Sequence, residues 1–100
     1  MRMAYLLIFS EATGGKEKVR EWLNAEDLVL HWRTDLPNMF YVISEATAAE
    51  LSESLSNHIG RKGRFLFSEV GENRQGLLPK ETWYLLKNKR RQPQMSPKQR

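Results

Sequence analysis

Cysteine is absent from this chain, which excludes structural disulfides, thiolate metal centres and a cysteine nucleophile together. A reducing cytoplasm fits that absence. Long apolar runs are missing too: nothing approaches the ~20 residues that a membrane-crossing helix needs. The opening MRMAYLLIFS has a basic residue and a short apolar run. It breaks at Ser10 and Glu11 with no small-residue cleavage pattern, so it reads as a strand. Glycine-rich phosphate loops are lacking, because Gly14 and Gly15 stand alone and Gly60–Arg64 (GRKGR) does not have P-loop spacing. Histidine is scarce, and His31 and His58 fall on different predicted elements with no third ligand spaced for zinc. His31 lies opposite Trp32 in an alternating run and reads as a half-exposed strand residue rather than a catalytic base.

Acid is missing from one segment only. Residues 87–100 hold Lys87, Lys89, Arg90, Arg91, Lys98 and Arg100 with no Asp or Glu, a charge of +6. Residues 1–86 carry −2, so the high isoelectric point belongs to the tail. From Asn88 onward there is no apolar periodicity, two prolines interrupt the chain, and charge is clustered. The expectation is one domain over residues 1–86 and a disordered basic tail over 87–100, since 100 residues can bury a single core.

What is present is alternating strand and helix patterning. Tyr5–Phe9 is a continuous apolar run ended by polar residues and Gly14-Gly15. Lys16–Glu26 places Val19, Trp22 and Leu23 at helical spacing. Leu28, Leu30 and Trp32 then alternate with Val29, His31 and Arg33, which predicts a strand with the first three on one face. Asp35–Asn38 (DLPN) supplies turn chemistry before a second apolar run, Met39–Ile43. Thr47 and Glu50 have capping-box spacing, Leu51, Leu55 and Ile59 recur every four residues, and Gly60 stands where a helix stops. Phe65–Phe67 makes a fourth strand.

The order βαββαβ predicts an α+β ferredoxin-like split βαβ with an antiparallel sheet in the order 4-1-3-2. Beyond it, Pro79 favours a helix start, and Leu78, Thr82, Trp83, Leu85 and Leu86 can line one side. A short C-terminal helix or an extended arm both satisfy that pattern.

One repeat invites a chemical reading. SEAT occurs after the first predicted strand (Ser10–Thr13) and after the third (Ser44–Thr47), and Ser68-Glu69 follows the fourth. In the predicted topology Glu11 and Glu45 leave opposite ends of the sheet. Glu45 and Glu69 leave the same end with the first strand between them, about two strand spacings of ~4.8 Å apart. The acids are therefore read as strand ends and helix starts, where Ser, Thr and Glu satisfy orphan amides. Arg61, Lys62 and Arg64 form a basic loop at the Glu11 end, which could contact phosphates together with Lys87, Lys89, Arg90 and Arg91. The opposing reading, a solvated loop and a solubilising tail, fits the net-acidic body better.

The apolar first strand, the segment WRTDLPNMFYVISEATAAEL, the strand GRFLFSEV and the closing GLLPKETWYLL together resemble the SinR-like proteins of the CRISPR-associated protein two superfamily, which also takes in the VapD toxins. The likeness covers most of residues 3–86. It implies a ferredoxin-like fold, commonly a homodimer, with some relatives acting as metal-dependent nucleases. In that branch an Asp ends the first strand at the dimer interface. Here the matching place reads Phe9, Ser10, Glu11, so Glu11 is the candidate for a catalytic, metal-holding acid across a dimer, with Mg or Mn as the ion. Two functional expectations follow. One is a cytoplasmic homodimeric interaction or structural module without catalysis. The other is an RNA- or DNA-binding protein, or a metal-dependent endoribonuclease.

Overall fold

The two longest apolar runs become the two central strands. β1 (Met3–Phe9) and β3 (Met39–Ser44) pair antiparallel, and every residue of β3 is buried. β2 (Val29–Arg33) pairs with β3 and β4 (Phe65–Glu69) with β1, giving the order β2-β3-β1-β4, the same ribbon as 4-1-3-2 read from its other edge. The structure is a computed structural model that describes residues 1–93. It is an α+β arrangement of a four-stranded antiparallel sheet and three α-helices, compatible with a small ferredoxin-like fold. The disorder expected of the tail lies, for residues 94–100, outside the described residues.

Strand alternation sends side chains to two faces, and each face has its own core. On one, Tyr5, Leu7, Phe9, Phe40, Val42 and Phe67 meet Val19, Trp22 and Leu23 of α1 (Gly15–Ala25) and Leu51 and Leu55 of α2 (Ala48–His58). Full burial of each leucine contributes roughly 1.5–3 kcal/mol. On the other, Ala4, Met39, Tyr41 and Ile43 meet Leu85 and Leu86 of α3 (Lys80–Asn88). The closing segment is thus a helix rather than an arm. It packs on the second face of the central strands and reaches edge strand β2 through Thr82 and Arg33. Lys87 and Asn88 belong to this helix, which therefore runs two residues into the segment that composition assigns to the tail.

The helix ends follow from local chemistry. Thr47 accepts a hydrogen bond from Glu50 N (3.1 Å) while Glu50 Oε1 accepts one from Thr47 N (2.8 Å), completing the expected capping box. Gly60, just past the end of α2, takes φ +68°. α1 has no side-chain cap and is entered instead through a 3-10 turn, Glu11–Thr13, and the left-handed Gly14.

The β2 pattern departs from expectation. A bulge between Val29 and His31 sets Val29 opposite Ser44 and His31 opposite Ile43. The extra residue breaks the two-residue period. Val29 and Trp32 therefore pack on the α1/α2 core, while Leu28 and Leu30 are exposed. Leu28, Leu30 and Trp32 do not share a face.

Polar groups tie the layers together. The fully buried Thr82 hydroxyl of α3 donates to Asp35 and accepts from Arg33 Nε at 2.6 Å, and Arg33 pairs with Asp35 at 3.5 Å. At its other end α3 is held by Arg2, whose Nη1 donates to Lys89 O at 3.0 Å. Between α1 and α2, Trp22 Nε1 donates to Ser54 Oγ (2.9 Å) and Ser54 donates to Glu26.

The Ser54 hydroxyl, then the Leu28 amide, hold the Glu26 carboxyl below the ordinary carboxylate range. A depressed folded pKa stabilises the fold above the unfolded value, and that contribution is lost as pH falls through the folded one. Ser54→Ala should therefore destabilise the protein more at pH ~7 than at pH ~3, below the ordinary Glu value of about 4.3. Urea unfolding of both chains at the two pH values measures this, and an equal gap at both would contradict it.

Candidate functional site

The Glu11 corner is assembled by backbone contacts. β1 ends at Phe9, and Ser10 N donates to Arg64 O (2.9 Å) while Ser10 Oγ accepts from Arg64 N (3.0 Å). Gly63, at φ +82°, lies so close to the Glu11–Thr13 turn that a Cβ there would stand 2.5 Å from Thr13 N. The loop carrying Arg61, Lys62 and Arg64 is thereby docked beside Glu11, as the sequence predicted. The side chains do not converge in the same way. Glu11 is exposed and has left the strand, with its carboxylate lying beside Gly15 at the first turn of α1. Arg61 points back along α2, to Asn57 at 3.4 Å and Glu53 at 3.6 Å.

The remaining basic candidates lie elsewhere. α3 starts beside Asp35, at the Glu11 end of the sheet, and finishes beside Arg2, at the start of β1. Lys87 and Lys89 are therefore at the opposite end from Arg61, Lys62 and Arg64. The chain turns back after Lys89, so that Arg90 lies over Tyr84 and Arg91 lines a pocket with Trp32, Arg33 and Glu81 on the β2 side, the sheet edge away from β4. The two basic groups are not one patch on this chain. Near the tail group sits His31, whose pKa is lowered first by burial and then by Arg2 and Arg91. His58 instead faces Glu21 across the helices at 3.3 Å.

The acids of the SEAT repeats do not gather. Met3 pairs with Ser44, so Glu45 leaves the end of the sheet where β1 begins, and Glu11 leaves the end where β1 finishes. Glu69 lies inside β4, opposite Tyr5, with β1 between it and β3. Burial, then Glu69 and Glu50, push the Tyr5 phenol above its ordinary pKa, and its hydroxyl donates to Ala46 O at 2.7 Å. The two full repeats also differ locally: Thr47 caps a helix, whereas Thr13 Oγ1 donates to Ser10 O within the 3-10 turn. Among the described residues no three His, Asp or Glu side chains stand together as a metal site would require.

Sequence reasoning missed an apolar groove on the second face. α3 covers β3 but leaves the β1 and β4 side partly bare, and residues 71–78 run past it without regular structure. Between them lies a groove of about 400 Å³ lined chiefly by Leu6, Ile8, Met39, Tyr41, Leu78 and Trp83. Its surroundings are apolar and open to solvent: Ile8 is 47% exposed, Leu66 59% and Leu77 99%. Ile8 and Leu66 are cross-strand partners, so they form one patch. The exposed leucines were the available signal, but without the position of α3 nothing marked them as neighbours.

Comparison with protein-family models, with curated proteins and with solved structures finds no match for this chain.

Proposed function

We propose that this protein is a ferredoxin-like module of the cytoplasm that works by self-association, as a homodimeric interaction or structural unit, and catalyses no reaction of its own. The observation that carries this reading is the apolar patch formed by Ile8, Leu66 and the adjoining groove. Exposed apolar surface that the chain's own helices leave uncovered is characteristic of association surfaces. The lack of cysteine fits the compartment.

One observation favours a second reading. The docking of Gly63 on the Glu11 turn holds the backbone of the Arg61–Arg64 loop beside an exposed carboxylate. On that reading the corner binds RNA or DNA phosphates, and Glu11 from two subunits holds a Mg or Mn ion for endoribonuclease cleavage, in the manner of the CRISPR-associated protein two superfamily. A cleavage assay separates the two. Labelled single-stranded RNA and DNA incubated with the full chain in Mg or Mn should remain intact, and Glu11→Ala should behave as the unaltered protein does. Metal-dependent cleavage abolished by Glu11→Ala would establish the second reading and remove the first.

A further inference from the structure

Resting on the self-association reading, we propose that the partner is a second copy of this chain and that it docks on the outer edge of β4, antiparallel to its own β4, to form one continuous sheet.

The sheet has two edges, β2 and β4. β2 is blunted by its bulge, a device that disrupts the regular ladder an incoming strand would need. β4 shows no register shift in its pairing with β1 and is bordered by no other strand among the described residues. Its hydrogen-bonding groups can be assigned. Arg64 O accepts from Ser10 and Val70 N donates to Ala4, so the even-numbered residues spend their backbone groups on β1. Strand alternation then turns the N–H and C=O groups of Phe65, Phe67 and Glu69 outward.

Charge selects the partner and its direction. The basic residues Arg61, Lys62 and Arg64 precede β4, and the acidic residues Glu69 and Glu72 lie at and beyond its end. A parallel copy would set like charges side by side. An antiparallel copy sets the basic end of each strand against the acidic end of the other, twice, by symmetry. The register that overlaps the whole strand is centred on Phe67. It places Phe65 opposite the second copy's Glu69, both with outward backbone groups, and Lys62 opposite its Glu72. In that register the two copies of Leu66 become diagonal neighbours on the groove face, so the most exposed apolar residue of β4 is covered.

The test is the dissociation constant of the full chain, measured by sedimentation equilibrium, with circular dichroism confirming that each variant is folded. Leu66→Lys, at a surface position, should weaken the dimer about tenfold or more, and Glu72→Lys several-fold by placing Lys62 opposite a like charge. The double change Lys62→Glu with Glu72→Lys should restore affinity to near the original. Leu30→Lys, on the other edge, should leave it unaltered. A dimer broken by Leu30→Lys and indifferent to Leu66→Lys would overturn this surface and leave self-association standing. A chain of single mass at every accessible concentration would overturn self-association itself.

Discussion

Phe40→Ala should cost about 3–5 kcal/mol of unfolding free energy, the range for emptying a large aromatic from a core. Phe40 is 0% exposed at the middle of the α1/α2 face. Its ring stacks on Phe9 with centroids 5.8 Å apart and meets Trp32 edge-on at 5.4 Å. Lys16 Nζ lies 5.6 Å from its centroid while donating to Leu36 O. Truncation thus removes the hub of two aromatic pairs and one cation–π contact in addition to leaving a cavity. A domain of this size has about 5–15 kcal/mol in total, so the melting temperature should fall by ~15 °C or more. Leu66→Ala, on an exposed site of the other face, is the control and should cost less than about 1 kcal/mol. Urea denaturation gives both values, and similar costs would mean that the core has been misplaced.

Gly63→Ala should be nearly as damaging, at about 2–4 kcal/mol, although it adds a single methyl group to an exposed loop. The backbone there has φ +82°, which costs an L-residue roughly 1–2 kcal/mol. The new Cβ would also stand 2.5 Å from Thr13 N and 2.8 Å from the Ala12 carbonyl carbon, which are backbone atoms with no rotamer to retreat into. Relief requires the loop to move off the Glu11 turn, at an overpacking cost of ~1–3 kcal/mol. Gly60→Ala separates the two effects, because its φ is +68° but nothing lies within 4 Å of the added Cβ. It should cost only the conformational part. If thermal denaturation shows the two alanine variants to be equally stable, the close approach of Gly63 to the turn is disproved.

These two residues also show how far the sequence could be read. Leu51, Leu55 and Ile59 announce a helix face through their spacing, Thr47 and Glu50 announce its start, and all behave as read. Periodicity and capping are local, so one chain segment suffices to show them. Gly63 could be seen only as part of a basic loop, since the reason for a glycine is Thr13, fifty residues away in sequence. The β2 alternation misled for a related reason: Leu28 and Leu30 look core-facing until the bulge opposite β3 resets the phase. The SEAT repeats were legible as strand ends in two cases, but Ser68 and Glu69 proved to lie inside β4, because apolarity ended before the pairing with β1 did. The groove was out of reach. Its walls come from β1, β3, the segment after β4 and α3. That last helix is set over the sheet by long-range contacts of Thr82 with Arg33 and Asp35, of Leu85 and Leu86 with the central strands, and of Arg2 with Lys89.

The electrostatic layout bears on the choice between the two functional readings. A phosphate-binding face gains most when its basic residues are contiguous, since each neutralised phosphate adds to affinity and to salt dependence. Here the loop group precedes β4 while the tail group lies along α3 and the β2 side of the sheet, and Arg61 is engaged by Glu53 and Asn57. The apolar groove and the β4 edge, by contrast, adjoin one another through Ile8 and Leu66. Burial of that patch gives association a driving force that salt does not screen.

The most direct test of self-association without nucleic acid is the solution mass of the full chain by light scattering, at low and at high salt, with and without a short single-stranded RNA. Twice the 11.7 kDa chain mass is expected at both salts, unchanged by RNA. A chain of single mass that becomes heavier only with RNA, and loses that gain as salt rises, would contradict that expectation.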